Sequence, residues 1–102
     1  MKSHVRSGWD STILVCSKCS KRLGGGFGPK GKTPLAKALR KRLGLKKGRK
    51  SRAGIVEVKC LGVCPNGAVT VIDGANPREW ILVPEGADID AIALELRLID
   101  TR

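Results

Sequence analysis

Four cysteines, arranged in two closely spaced pairs, are the residues of this chain whose type and spacing could do chemistry. Cys16 and Cys19 form a C-x2-C pair, and Cys60 and Cys64 form a C-x3-C pair that is followed at once by Pro65. Four thiolates can hold either a [2Fe–2S] cluster or a tetrahedral Zn²⁺ ion. The sequence therefore predicts a site at which the two pairs act together on a metal.

Three other interpretations of the cysteines explain less of the pattern. A thioredoxin-type dithiol at Cys16 and Cys19 leaves the second pair without a role. Structural zinc sites usually join half-sites about 15–20 residues apart, whereas forty residues separate Cys19 from Cys60. Four unrelated buried cysteines would not be expected to fall into two such pairs. These comparisons favour an iron–sulfur cluster, with a zinc-stabilised domain as the alternative.

Each cysteine pair directly follows a predicted strand. The apolar, β-branched runs at residues 12–15 and 55–59 predict strands that end at Cys16 and Cys60. Between them, Thr33-Pro34 marks the start of a helix whose stripe of Leu35, Leu39 and Leu43 ends before Gly44. A strand–helix–strand crossover makes the two strands parallel. We therefore expect both cysteine pairs to emerge at the same edge of one sheet.

The remaining elements complete a small α/β domain. Residues 68–72 and 79–83 predict a β-hairpin, and residues 88–99 predict a final helix. The resulting order, β-α-β-β-α, predicts a thioredoxin-like α/β sandwich with a mixed four-stranded sheet. Residues 1–11 are predicted to be a flexible N-terminal arm, and residues 12–102 a single domain.

The segment around the second pair resembles a known family. The string Val58-Lys59-Cys60-Leu61-Gly62-Val63-Cys64-Pro65-Asn66-Gly67-Ala68-Val69-Thr70-Val71 is similar to the second half-site of the thioredoxin-like [2Fe–2S] ferredoxins. The same module occurs as a small subunit of NADH dehydrogenase, and short bacterial proteins with predicted metal sites share the C-x2-C spacing. The resemblance extends over about residues 12–99.

The resemblance carries specific expectations. It implies that Cys16, Cys19, Cys60 and Cys64 are the four cluster ligands. It also implies a one-electron carrier or cluster-holding redox module that is not a stand-alone enzyme, and it is consistent with a homodimer. The first pair here is shorter than in the best-known members, and the crossover is cationic where carrier ferredoxins are commonly acidic.

Charge is concentrated in one part of the chain. The protein has 20 Lys and Arg against 9 Asp and Glu, a net charge of +11. Residues 18–52, called the basic segment below, contain fourteen of the basic residues and no acidic one. The basic segment therefore carries +14 on a scaffold of −3. Such a segment is compatible with three roles: a solvated face that only aids solubility, docking to an acidic redox partner protein, and binding of nucleic-acid phosphates. The predicted partner is an acidic redox protein, with nucleic acid as the alternative.

The sequence also bears on location. No apolar run approaches the ~20 residues that a membrane-spanning helix needs, and residues 1–11 lack the apolar stretch of a secretion signal. We therefore expect a cytoplasmic protein without a membrane partner, in a compartment where thiols stay reduced.

One further motif is a coincidental match. Residues 26–33, GFGPKGKT, fit the G-x-x-x-x-G-K-[ST] pattern of a nucleotide-binding loop. That loop requires its last residue in the first turn of a helix, and Pro34 disfavours helical backbone at Thr33. No strand leads directly into Gly26. The sequence therefore does not predict a nucleotide site.

Overall fold

The architecture is a mixed α/β sheet with helices packed against it. In the computed structural model, residues 3–45, 48–63 and 65–99 are described. Their elements, in chain order, are β1 (Ser11–Cys16), α1 (Ser17–Arg22), β2 (Gly26–Phe27), β3 (Thr33–Pro34), α2 (Leu35–Leu43), β4 (Ala53–Val58), β5 (Ala68–Asp73), β6 (Ile81–Pro84) and α3 (Ile89–Glu95).

Four strands form the main sheet in the order β4-β1-β5-β6. Strands β1 and β4 are parallel, with Cys16 opposite Val58, and β5 is antiparallel to both β1 and β6. The predicted mixed four-stranded sheet and its parallel pair are confirmed. The thioredoxin-like arrangement itself stays a prediction.

The core lies between this sheet and the helices. The central strands β1 and β5 supply side chains that are almost fully buried, as their continuous apolar runs require. Helix α2 contributes Leu35 and Leu39, which are both fully buried. Its lysines and Arg42 are exposed, whereas the half-buried Arg40 donates to the Ile55 carbonyl of β4 at 2.7 Å. Gly44 ends α2 in a left-handed conformation (φ 62°), which glycine adopts without steric cost.

Several elements differ from the predicted bounds: β4 covers 53–58 instead of 55–59, α2 starts at Leu35 after Thr33-Pro34, and β6 and α3 are also shifted. Strand β6 starts at Ile81, because the Trp80 indole N–H turns back to donate to the Pro77 carbonyl at 2.9 Å and belongs to the preceding turn. Helix α3 ends at Glu95, earlier than the predicted residue 99, and Arg97 adopts a left-handed backbone (φ 59°). Leu96 and Leu98 nevertheless remain buried in the core.

The glycine-rich region after Cys19 is more ordered than a plain loop. Helix α1 follows β1 without a break, and β2 pairs with β3 as a short antiparallel hairpin. The Gly25 N–H donates to the Ser20 carbonyl at 3.0 Å, and the Gly86 N–H donates to the Gly26 carbonyl at 2.9 Å. These bonds hold the hairpin between α1 and the end of β6.

The edge strand β4 is covered by residues from the predicted arm. The N–H groups of Gly8 and Asp10 donate to the carbonyls of Arg49 and Arg52, and the Trp9 indole N–H donates to the Gly48 carbonyl. The Trp9 ring lies on Gly54 so closely that a Cβ there would sit 2.2 Å from it. Trp9 thus packs against the sheet.

The contact between Trp9 and Gly54 predicts an effect on stability that a double-mutant cycle can test. We expect the G54A substitution to lower the free energy of unfolding by about 2 kcal/mol, the usual cost of overpacking. In a W9A background the obstructing ring is gone, so adding G54A should cost little more than W9A alone. Urea unfolding of the wild type, both single variants and the double variant measures this coupling. Additive losses would show that the two residues do not act through this contact.

Candidate metal centre

Cys16 and Cys19 lie at the carboxyl end of β1, where the strand turns directly into α1. Cys16 is the last residue of β1, and Cys19 lies one turn into the helix. Both side chains are buried, with 0% and 2% of their surface exposed. The Ser20 hydroxyl donates to the Cys16 carbonyl at 3.2 Å, which stabilises the strand-to-helix junction. The first pair is therefore rigidly held.

The second pair follows β4 at the same edge of the sheet. Cys60 lies two residues beyond β4, on the surface. The Gly62 N–H lies 3.4 Å from its sulfur and donates to it. Gly62 has φ +87°, a conformation that lets the backbone turn sharply enough to bring this N–H back to Cys60. Cys64, the fourth predicted ligand, lies outside the described residues.

The backbone between the two cysteines of the second pair contacts the first pair. The Leu61 N–H is one of the backbone groups that lower the pKa of Cys16. The Cys19 thiol lies 3.9 Å from the Val63 carbonyl and 4.0 Å from Thr70 Oγ1. The parallel pairing of β1 with β4 produces this contact, since it brings the end of each strand to one edge. The described part of the second pair's loop, residues 61–63, thus reaches the first pair, and the joining of the four cysteines in one site stays a prediction.

Amide donors set the acidity of Cys16. Burial alone raises the pKa of its thiol, but backbone N–H groups of Cys19, Leu61 and Lys18 donate to the sulfur and outweigh burial. The pKa of Cys16 is consequently below its ordinary value. A sulfur surrounded by N–H donors is stabilised as a thiolate, which is the form that binds metals.

The lowered pKa predicts how stability depends on pH. A thiol with a depressed pKa in the folded state stabilises the fold above the pKa of the unfolded chain, and this stabilisation is lost as the pH falls through the folded pKa. For the reduced, metal-free protein, we expect the stability difference between the wild type and C16S to grow as the pH rises toward the ordinary thiol pKa of about 8.5. Urea unfolding at several pH values measures the difference. A constant difference would contradict the lowered pKa.

The described residues alone do not form a complete metal site. Within residues 3–45, 48–63 and 65–99, no three His, Cys, Asp or Glu side chains are grouped closely enough to hold a metal ion. Completion of a four-thiolate site depends on Cys64 and on movement of the exposed Cys60 side chain toward the first pair. The donor chemistry of Cys16, with amide N–H groups directed at its sulfur, fits a thiolate ligand.

Comparison with known proteins gives no further assignment. No family model, curated protein or solved structure matches this chain. In the part of the chain that the structure describes, no helix is long and apolar enough to cross a membrane.

Residues 26–33, which match the nucleotide-binding loop pattern, do not adopt the structure that such a loop requires. Thr33 lies in strand β3, and α2 begins two residues later at Leu35. The Gly26 N–H donates to the Gly31 carbonyl, and the Gly31 N–H donates to the Gly28 carbonyl, so these amides close the hairpin. Two of the backbone donors that would have to bind a phosphate are thus already used.

Exposed basic residues lie on the segments that carry the cysteines. Three exposed side chains of α1 and one before Cys60 carry positive charge: Lys18, Lys21, Arg22 and Lys59. Val63, in the middle of the second pair's loop, is 40% exposed. Among the described residues the single ion pair is Arg42 with Asp90, away from this edge. These four cations and Val63, all exposed and all on the segments that carry the cysteine pairs, are called the cysteine-edge patch below.

Sequence reasoning missed two residues at this edge. Leu61 acts through its backbone N–H, and any residue except proline has one, so no sequence signal could mark it. Thr70 is fully buried in β5, between Val69 and Val71. A hydroxyl inside an otherwise apolar run was the available signal, because a buried hydroxyl needs a hydrogen-bond partner.

Proposed function

We propose that this protein is a [2Fe–2S] cluster-binding, ferredoxin-like redox module with a thioredoxin-like fold. One observation carries the proposal. Parallel β1 and β4 end at one edge, where the Cys19 thiol of the first pair lies 3.9 Å from the Val63 carbonyl in the loop of the second pair. Cys16, Cys19, Cys60 and Cys64 would hold the group. When bound, a cluster of this kind supplies one-electron transfer.

The chain's own residues have separable roles in this proposal. Cys16 and Cys19 form the rigid half of the site, because the end of β1 and helix α1 fix both side chains. Backbone N–H groups directed at the sulfurs of Cys16 and Cys60 would stabilise the negative charge that four thiolates bring. Helix α1 and β5 keep water away from the buried pair.

Burial of the first pair argues against a dithiol-exchange role. An attacking sulfur must reach the disulfide of its substrate, yet Cys16 and Cys19 are 0% and 2% exposed.

Anaerobic purification followed by iron and acid-labile sulfide analysis tests the proposed function. The expected result is a coloured protein with equal amounts of iron and sulfide and a visible spectrum that bleaches on reduction. Stoichiometric zinc without sulfide would overturn the cluster and leave the alternative, a zinc-stabilised small domain that binds nucleic-acid phosphates.

We further propose that the partner is an acidic redox protein that docks on the cysteine-edge patch. Exposed Val63 among cations is typical of a protein-binding surface with an apolar centre and a charged rim. Nucleic acid is less well supported, since single strands are usually bound by stacking on exposed aromatic rings. Phe27, the one aromatic residue of the basic segment, is 1% exposed.

Charge-reversal variants test whether acidic partners bind the cysteine-edge patch or another part of the basic surface. We expect K18E/K21E to weaken binding of poly-L-glutamate, as a probe of acidic protein surfaces, by about tenfold at low salt. The matched variant R49E/K50E reverses two charges at the opposite end of β4 and should change binding less. Equal effects of both variants, or much tighter binding of a single-stranded oligonucleotide than of polyglutamate, would contradict the assigned surface.

A further inference from the structure

Thr70 is a buried polar residue in the middle of the sheet. It lies on the central strand β5 between Val69 and Val71, and all three are 0% exposed. Valine has nearly the same shape as threonine, so packing alone does not require a hydroxyl at this position. A buried hydroxyl without a partner is costly, and its presence implies a specific bond.

The bonds of this hydroxyl connect both halves of the cysteine edge. Thr70 Oγ1 donates to the Val63 carbonyl at 3.2 Å, which ties the second pair's loop to β5. The Cys19 thiol, 4.0 Å from Oγ1, donates to the same hydroxyl. Cys19 Sγ also lies 3.9 Å from the Val63 carbonyl. Thr70, Val63 and Cys19 therefore form one closed set of polar contacts that spans β5, the loop and α1.

We propose that Thr70 is a positioning residue that holds residues 61–63 of the second pair's loop against the buried Cys19. Thr70 would also have a second role, as a hydrogen-bond donor to a metal-bound Cys19, and this role rests on the proposed function. A sulfur bound to a metal carries no hydrogen, so the Thr70 hydroxyl would then donate to Cys19 Sγ. A hydroxyl has a single hydrogen to donate but can accept as well. The same group can therefore serve the loop in the metal-free protein and the sulfur in the loaded one.

The tie between Thr70 and the loop is tested on the reduced, metal-free protein. The T70V variant keeps the packing volume and loses the hydroxyl, so the loop should open more often. We expect Cys19 to be alkylated by N-ethylmaleimide about fivefold faster in T70V, the factor that corresponds to one hydrogen bond of ~1 kcal/mol. Mass spectrometry follows the alkylation of each cysteine.

Two further variants separate positioning from general destabilisation. T70S keeps a hydroxyl and should return the alkylation rate to near that of the wild type. T12V makes the same change on β1, where the Thr12 side chain has no hydrogen bond among the described residues, and should leave the Cys19 rate unchanged. Equal Cys19 rates in the wild type and T70V, or equal acceleration in T12V, would overturn the positioning role.

Cobalt binding tests the second role with a spectroscopic signature. Titration with Co²⁺ alone gives a thiolate-to-cobalt absorption band when cysteines bind the ion. We expect T70V to weaken Co²⁺ affinity and to shift this band, and T70S to restore both. An unchanged band and affinity in T70V would overturn the sulfur contact. If the wild type binds neither cobalt nor iron, the proposed function fails, whereas the alkylation rates still decide the loop contact.

Discussion

Serine in place of Cys16 is expected to remove nearly all iron and acid-labile sulfide from protein purified without oxygen. Cys16 is the most constrained of the three cysteines that the structure describes, because it ends β1 and is fully buried. A serine oxygen is a poor ligand for iron in such a cluster, so three thiolates would remain where four are needed. Metal and sulfide analysis of the C16S variant measures the loss.

The S17A variant is a suitable comparison for this loss. It removes one oxygen from the neighbouring residue at the start of α1 and leaves all four cysteines in place. We expect its metal and sulfide content to equal that of the wild type. Retention of a full complement by C16S would contradict the assignment of Cys16 as a ligand, and an equal loss in S17A would indicate a folding effect.

Alanine in place of Gly25 is expected to lower the free energy of unfolding by about 3 kcal/mol or more. Gly25 has φ +97°, a conformation that side chains rarely adopt, and a Cβ there would lie 2.1 Å from the Lys32 carbonyl oxygen. The obstacle is backbone, which cannot move aside without separating β2 from β3. Thermal and urea unfolding of G25A measure the loss.

Gly24 provides the matched control for this substitution. It also has a positive φ (+61°), but a Cβ there would meet nothing within 4 Å. We therefore expect G24A to cost about 1 kcal/mol, the strain of a left-handed residue without a clash. Similar losses for the two variants would show that the contact with Lys32 does not control the stability of the hairpin.

Much of the sheet could be predicted because its signals are local. The apolar runs of β1, β4 and β5 mark buried strands, and the crossover rule then makes β1 and β4 parallel. Helix α1 could not be predicted in this way. Its six residues, Ser17–Arg22, contain no apolar repeat apart from Cys19, and the helix is stabilised by the end of β1 and by packing on β5.

The cysteine edge was predicted to the level of elements, and its details depend on tertiary contacts. The pair spacing and the strand ends indicated that the two half-sites meet. The donors to Cys16 come from main-chain N–H groups, and the tie to Val63 comes from Thr70 on a third strand. Such contacts become visible only when the order of strands in the sheet is known.

The parallel pairing of β1 with β4 also determines how late the cysteine edge can form during synthesis and folding. Its partners, such as Ser11 and Ala53, lie more than forty residues apart, whereas β5 and β6 pair residues as close as Val71 and Ile81. Distant pairings close larger loops and form later in folding. At the usual rate of protein synthesis, roughly 2–8 s pass between the appearance of Cys19 and that of Cys60. During these seconds Cys16 and Cys19 are therefore expected to be exposed, because the loop that follows β4 has not yet been synthesised.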